Sequence, residues 1–465
     1  MSVRVRFAPS NTGYLHMGGA RTALFNFLFA RHHDGEFLLR VEDTDPERSK
    51  EKYTEAILDA HEWLRMEPDE EPTFQSNRTE LYRQKAEELL DAGHAYRDYS
   101  TPEEIEKARK EGFERGDKTA HTRLWRDRDD APEDRDSVVR IKAPTEGSLT
   151  VDDHVQGEVT VEAEELDDFV IMRSDGSPTY NFCVVVDDAD MDISHVIRGK
   201  DHLNNTFRQL YVYEALGYEP PEFAHLPMIS GLSKRKGSRS IQDYRDDGYL
   251  SEAVINYLAR LGWSHGDQEI FSLEELVDYF DLDQVSRGSA EFDEDKLAWV
   301  NGEWMKRLDN ETLAQRWIPH LKRAGFDLEV DERLVGIVDA MHARAETFSD
   351  MTEKSAYFFA ETIERNSDDV EEWLTPDLEE MFEALIERLG GIPEWTSDEI
   401  DDAVRGVCDD FDVGLGTLAQ PARVAVTGGT VSPGLFSTLE FVGRDRALER
   451  LDEALEIIRK RADEE

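Results

Sequence analysis

His16, Gly18 and Gly19 stand where a short strand pattern, Val3–Phe7, gives way to an apolar helical run from Ala20 to Ala30. Strand, glycine-rich turn and helix N-terminus together aim free backbone N–H groups and the helix dipole at an anion. Glycines there let a nucleotide approach the backbone closely. An imidazole at that point can donate to a phosphate oxygen that gains charge in a transition state. Far along the chain, Leu232-Ser233-Lys234-Arg235-Lys236-Gly237 sets three cations on a glycine-bounded loop, where they could neutralise a departing pyrophosphate. A third group is Arg6, Glu42, Tyr180 and Arg198, each in or beside a predicted sheet strand. An arginine on a buried strand is costly unless it meets a carboxylate. Each group also has a plain reading: a surface histidine at a helix start, a solvated basic loop, and internal pairing such as Arg6 with Glu42. The Gly-Lys-Ser/Thr pattern of a P-loop is absent, so this is not that class of phosphate site.

The elements that position these residues are readable in outline. Residues 1–75 read as strand, helix, strand, helix, the second strand being Glu36–Val41 and the second helix running to about Leu64. That βαβα order implies a parallel sheet with crossover helices. From residue 78 the character changes: a helix near 79–92, a charged stretch from Thr101 to Asp136, then short strand patterns at Ser137–Ile141 and Phe169–Met172, with a turn at Ser174–Ser177. This reads as an inserted α/β domain. Strand and helix patterns resume at Cys183–Asp188 and His195–Arg198, and from Tyr249 the pattern is helical to the end. In the last helix Leu448, Leu451, Leu455 and Ile458 fall on one face.

Composition limits the function classes. Acidic residues number 103 against 54 basic ones, for a formal net charge of −49, and Arg outnumbers Lys by more than two to one. A disordered acidic chain would lack aromatics, yet this one has 22 Phe, 14 Tyr and 8 Trp. The balance fits a folded protein from a salt-rich cytoplasm, where at ~1 M salt a Debye length of ~3 Å screens self-repulsion. Only Cys183 and Cys408 occur, which argues against a disulfide scaffold and a cysteine-rich zinc site. No apolar leader and no 18-residue apolar stretch is present, so a soluble, cytoplasmic protein is expected, with no membrane partner.

The motifs together resemble a class I aminoacyl-tRNA synthetase, and more narrowly the bacterial-type glutamyl-tRNA synthetases. The stretch around His16 matches the family's HIGH region, and that around Lys234 its KMSKS region. The resemblance continues through Gly18–Asn26, Leu39–Asp45, Arg173–Phe182, Val196–His202 with Asn205, Thr206 and Gln209, Lys296–Gly302 and Leu418–Val424. It spans nearly the whole chain in order. Two positions depart from the pattern: Asn11 stands where the family usually has proline, and Gly231 where it has the first KMSKS lysine. Some members carry a zinc knuckle in the insert. Here that stretch reads Arg97-Asp98-Tyr99-Ser100, and no structural zinc is expected.

The resemblance implies a Rossmann-like parallel-sheet catalytic domain in two halves (1–77 and 184–230) and an inserted α/β acceptor-binding domain (78–183). A KMSKS-loop and stem-contact domain (231–310) and an all-helical anticodon-binding region (311–465) follow. It implies ATP-dependent ligation of L-glutamate to tRNA-Glu through a glutamyl-adenylate, with Mg²⁺ accompanying ATP and the chain acting as a monomer. His16 and Lys234 would be catalytic. Ser10, Thr12, His16, Gly18, Gly19, Lys234 and Arg235 would bind ATP, and Arg6, Ser10, Glu42, Tyr180 and Arg198 would bind glutamate. Use of tRNA-Gln as a second acceptor stays open, as does a synthetase-like binding protein without ligase activity, for which Asn11 and Gly231 are the only support.

Overall fold

The computed structural model describes residues 2–45, 48–128, 130–132, 134–232 and 239–464. The chain forms two compact units, residues 1–245 with 251–300, and residues 246–250 with 301–465.

The first unit begins with β1 (Arg4–Phe7), α1 (Met17–His32), β2 (Glu36–Val41), α2 (Glu51–Trp63) and β3 (Thr73–Phe74). Strands β1, β2 and β3 are parallel, with Arg4 opposite Glu36 and Arg40 opposite Thr73. Helix α1 is apolar nearly all round: Leu24, Phe25, Phe27, Leu28, Phe29 and Ala30 are all buried. A helix of that kind belongs in a core, not on a surface. Its one buried amide, Asn26, donates from Nδ2 to Thr22 O at 2.8 Å and to Ile197 O at 3.0 Å, which ties the helix to the sheet.

Next come α3 (Thr79–Asp91), β4 (Ala95–Asp98), α4 (Pro102–Arg115), β5 (Val138–Ile141), β6 (Ser148–Asp153), β7 (Gly157–Glu162) and β8 (Val170–Met172). Strands β4, β5 and β8 form an antiparallel sheet of their own. Then come α5 (Tyr180–Asp190), β9 (His195–Gly199), α6 (Leu203–Leu216) and β10 (Glu222–Leu226). Strands β9 and β10 are parallel, and the β6–β7 hairpin extends their sheet through a single parallel register, Phe223 opposite Asp153. Ser194 N–H donates to Arg4 O at 2.9 Å, so β9 begins alongside β1. One apolar core runs from Leu38 through Tyr82, Ile141 and Ile171 to Val185, Val196 and Phe223, so residues 79–172 share packing with the parallel strands on either side of them in sequence.

Two sequence readings need correction. Tyr180 is the first residue of helix α5, not a residue in or beside a sheet strand. The run Phe182–Val186 is buried throughout, and a short, wholly buried apolar run has no periodicity to separate helix from strand. The helical pattern after Tyr249 is also interrupted. After β11 (Ile229–Ser230), α7 (Ile241–Asp246), α8 (Ser251–Arg260) and α9 (Leu273–Tyr279) comes β12 (Ala290–Glu291), which pairs with β11. Helix α10 (Glu294–Met305) follows.

The second unit is helical among the described residues: α11 (Asn310–Arg323), α12 (Glu332–Met341), α13 (Phe348–Ser355), α14 (Ser367–Trp373), α15 (Glu379–Gly391), α16 (Ser397–Asp410), α17 (Leu415–Thr427), α18 (Leu435–Val442) and α19 (Arg444–Glu464). Helix α19 buries Ala447, Leu451, Ala454, Leu455 and Ile458, and Leu448 lies at the margin of that face. Arg450, also buried, donates to three carbonyls, of Tyr357, Val426 and Ala360, and thereby joins α19 to α17 and to the segment after α13. Among the described residues no helix is long and apolar enough to cross a membrane.

Candidate functional site

A cleft of about 550 Å³ opens in the first unit at the C-terminal ends of β1 and β9. Arg6, Ser10, His16, Gly18, Gly19, Glu42, Tyr180 and Arg198 all line it. Thr12 is not part of that lining; its Oγ1 lies 3.5 Å from Ser10 Oγ. Lys234 and Arg235 lie outside the described residues.

His16 is the N-cap of α1, and its Nδ1 accepts from the N–H groups of Gly18 at 3.1 Å and Gly19 at 3.3 Å. These N–H groups are therefore not free for an anion, as the sequence suggested; the imidazole takes them. The same contacts fix its chemistry. An Nδ1 that accepts leaves the proton on Nε2, and burial lowers the pKa from its ordinary 6.5, so the ring is a neutral donor at pH 7. A Cβ on Gly18 would sit 3.2 Å from the His16 ring, so the glycine makes room for the cap itself.

Beneath the cleft lies a buried charge network. Arg6 does not pair with Glu42; it grips Asp188 with two nitrogens, Nε to Oδ1 at 2.9 Å and Nη2 to Oδ2 at 3.2 Å. Arg40, wholly buried, donates to Asp188 at 2.6 Å and reaches Glu42 at 3.4 Å. Burial opposes ionisation of Asp188, but Arg40 and Arg6 outweigh it and hold its pKa down at about 2. Glu42 is pushed the other way: burial raises its pKa, with Arg40 and Arg6 opposing and Asp188 and Asp187 reinforcing. Burial, then the charge of Glu42, pushes Tyr180 up to about 12, and its hydroxyl lies 3.1 Å from His202 Nδ1.

Arg198 is the exception in this network. It meets no carboxylate among the described residues. Nε donates to His225 Nε2 at 3.1 Å, and Nη2 donates to Thr206 Oγ1 at 2.7 Å and Gln209 Oε1 at 2.8 Å. Nη1 is buried and unpartnered. His225 is itself oriented by Asp153, whose Oδ2 lies 2.6 Å from Nδ1, and burial lowers the pKa of this histidine. A neutral ring that donates from Nδ1 to Asp153 presents a lone pair to Arg198. Arg6 and Arg40 are thus engaged by Asp188, with Glu42 and Asp187 also beside Arg40, whereas Arg198 is held by neutral partners only. Sequence reasoning missed Arg40, Asp188, Asp153 and His225 as parts of the site. The signal available was two adjacent carboxylates, Asp187 and Asp188, at the end of an apolar run.

Both departures from the motif pattern have local causes. Asn11 is buried and donates from Nδ2 to Thr54 Oγ1 at 3.1 Å, which ties the loop before α1 to α2. Gly231 has φ +83°, and a Cβ there would stand 2.8 Å from Phe292 O. Any side chain at that position is strained by backbone and neighbour together.

The second unit holds a cleft of its own, of about 800 Å³, lined by residues including Arg344, Lys354, Tyr357, Arg365 and Val431. The Tyr357 hydroxyl is buried without a partner, and Val431 is 81% exposed.

Comparison with known proteins agrees with this organisation. The profile of the family described as tRNA synthetases class I (E and Q), catalytic domain, matches residues 2–299, and that described as anticodon binding domain matches residues 312–455. A glutamate–tRNA ligase of Thermodesulfovibrio yellowstonii is 45% identical over 97% of this chain and 98% of its own length. One of Syntrophotalea carbinolica is 46% identical over 97% and 98%. The crystal structure of a glutamate tRNA ligase from Elizabethkingia meningosepticum, in complex with its amino acid, superposes with a TM-score of 0.86 at 32% identity, covering 98% of this chain and 99% of that one.

Proposed function

The chain belongs to the class I tRNA synthetases of the E and Q type, and within them to the glutamate–tRNA ligases; from that premise we propose how its cleft joins L-glutamate to tRNA-Glu at the expense of ATP. The α-carboxylate of glutamate attacks the α-phosphorus of ATP and pyrophosphate leaves; the terminal ribose hydroxyl of the tRNA then attacks the glutamyl-adenylate and releases AMP. A carboxylate is already ionised at pH 7, so the first step requires no general base. The protein aligns the reactants and stabilises charge.

Arg198 carries the reading. A buried guanidinium with an unpartnered nitrogen in a cleft is a site for an anion that completes it. The side-chain carboxylate of glutamate is that anion. Glutamine, which is neutral there, leaves the positive charge uncompensated, so binding discriminates against it. Glu42 and Tyr180 receive the ammonium, while Arg6, held by Asp188, and Ser10 hold the remaining polar groups. His16 donates from Nε2 to a phosphate oxygen, with Ser10, Thr12, Gly18 and Gly19 beside the nucleotide. Lys234 and Arg235 neutralise the departing pyrophosphate. Glu42 and Asp188 are engaged by arginines and form no oxygen cage, so Mg²⁺ enters on the phosphates of ATP.

The insert, residues 78–183, holds the acceptor end. Zinc is not needed to fold its knuckle-like stretch, because Asp98 is taken by Arg140 and by Ser100 N–H. The helical unit reads the anticodon: in the cleft around Tyr357 a ring with an unpaired hydroxyl lies near Arg344 and Lys354, which suits a splayed base and its phosphate. The enzyme works as a cytoplasmic monomer. The side functions of Asn11 and Gly231 remove the grounds for a binding protein without ligase activity. ATP–pyrophosphate exchange tests the reading: glutamate supports exchange and glutamine does not. Equal exchange with both would overturn the role of Arg198.

A further inference from the structure

The partners of Arg198 form a chain whose far end is Asp153, the last residue of β6. Every member is buried: His225, Thr206, Gln209 and Asp153. Asp153 opens the turn between β6 and β7. Its Oδ1 accepts from three backbone N–H groups, of Val155 at 3.0 Å, Gln156 at 2.7 Å and His225 at 3.1 Å. Its Oδ2 lies 2.6 Å from His225 Nδ1 and shares the backbone N–H of His225 at 3.1 Å. The two oxygens are not interchangeable, because the turn holds one and the ring engages the other.

Groups that can only donate set the proton positions in this chain. A guanidinium nitrogen offers no lone pair, so Arg198 Nε donates to His225 Nε2 at 3.1 Å and that ring nitrogen must accept. Thr206 Oγ1 accepts from Arg198 Nη2 at 2.7 Å and keeps its own proton for the same ring nitrogen, 3.0 Å away. The ring proton is then on Nδ1, and Asp153 takes it as a hydrogen bond. The other tautomer would set Nε2–H against Arg198 Nε–H and leave both buried donors unsatisfied. Neutrality matters as much as direction. A carboxylate in place of the imidazole would pair with Arg198 and cancel its charge, whereas a neutral ring orients the guanidinium and leaves that charge available.

We infer that Asp153 and His225 are positioning residues for amino-acid selection, an assignment that rests on the role proposed above for Arg198. Asp153 fixes the tautomer of His225, the ring holds Arg198 by Nε, and the unpartnered Nη1 is left for the side-chain carboxylate of glutamate. Charge and geometry act here with opposite signs. If charge alone counted, removing the carboxylate of Asp153 would strengthen anion binding at Arg198. In Asp153→Asn the amide oxygen stays with the N–H groups of the turn, and the amide nitrogen faces His225 Nδ1. That ring nitrogen must then accept, the proton moves to Nε2, and Arg198 Nε loses its acceptor. Glutamate binding weakens instead.

The test is ATP–pyrophosphate exchange with the full chain, read as the Michaelis constants for glutamate and for ATP, together with nitrogen NMR of protein labelled in its histidine rings. Asp153→Asn should raise the glutamate constant by roughly tenfold or more, which corresponds to about 1.4 kcal/mol, and leave the ATP constant unchanged. The same variant should carry the His225 ring proton on Nε2, the resonance being identified by its loss in His225→Gln. His225→Gln keeps a donor and an acceptor for the two neighbours, so its glutamate constant should lie between those of Asp153→Asn and the unaltered chain. Asp152→Asn, on an exposed neighbour in the same strand, should move neither constant. A proton on Nε2 of His225 in the unaltered chain would overturn the inference without any variant. So would a glutamate constant that is unchanged or lowered in Asp153→Asn, one that rises equally in Asp152→Asn, or one that rises with that for ATP and no change of tautomer. Arg198→Ala separates the two roles. A raised glutamate constant there, with none in Asp153→Asn, removes only the positioning role; unchanged constants in both remove the role of Arg198 as well.

Discussion

At the residue scale Arg198 and Asp188 differ: one keeps a buried nitrogen without a partner, the site proposed for the glutamate carboxylate, and the other holds two arginines in place. Replacing Arg198 with alanine removes a charge-assisted contact of about 1.5–3 kcal/mol. The Michaelis constant for glutamate should rise by roughly 10- to 150-fold, with less effect on ATP; an unchanged value would place the side-chain carboxylate elsewhere. Asp188→Asn leaves Arg6 and Arg40 buried against a neutral amide, and breaking a buried pair from one side costs roughly 3–5 kcal/mol. Denaturant melts should show that loss at pH 7. The stability Asp188 provides is present above its ordinary pKa of 3.8 and disappears as the pH falls through about 2. Glu42 runs the opposite way. Its raised pKa means that the carboxylate proposed to receive the ammonium is lost earlier in acid, so on that proposal glutamate should bind more weakly as the pH falls through a value above 4.5. A binding titration that is flat between pH 7 and pH 4.5 would remove Glu42 from the site.

At the scale of elements, the Gly231 turn makes a distinctive prediction. Restoring the lysine found in the motif, Gly231→Lys, should not raise activity. It forces a side chain into a left-handed conformation at about 1–2 kcal/mol and drives its Cβ against Phe292 O. Lower stability with no gain in adenylate formation is expected; a faster enzyme would show that the turn tolerates the side chain. The same turn illustrates what a sequence conveys. The β1–α1–β2 order, the helix near 79–92 and the face of α19 were legible because their periodicity and punctuation are local. The lining residues Arg6, Glu42, Tyr180 and Arg198 were legible by resemblance, but their partners were not. Arg6 finds Asp188 from 182 positions away, and nothing local distinguishes that pairing from one with Glu42. The capping of α1 by His16 was hidden for another reason: the same glycines suit either a bound phosphate or a ring folded back on the helix start.

For the whole molecule, a charge of −49 dominates. Near 0.01 M salt the Debye length is ~30 Å, so repulsion acts across whole domains. Added potassium chloride should therefore raise the melting temperature. An ordinary RNA binder loses affinity steeply with salt through counterion release. Here the loss of tRNA affinity should be shallower, because repulsion between the acidic surface and the RNA is screened at the same time. A melting temperature that is flat or falls, together with binding that collapses by several orders of magnitude, would mean the acidity has a cause other than salt.

The central claim is most directly tested by aminoacylation of purified tRNA-Glu with labelled glutamate at high potassium chloride, with tRNA-Gln in parallel. The account predicts glutamate esterified to tRNA-Glu, one AMP and one pyrophosphate per ester, and no product when glutamine replaces glutamate. A chain that leaves tRNA-Glu uncharged at every salt concentration, or that esterifies glutamine equally well, would contradict it.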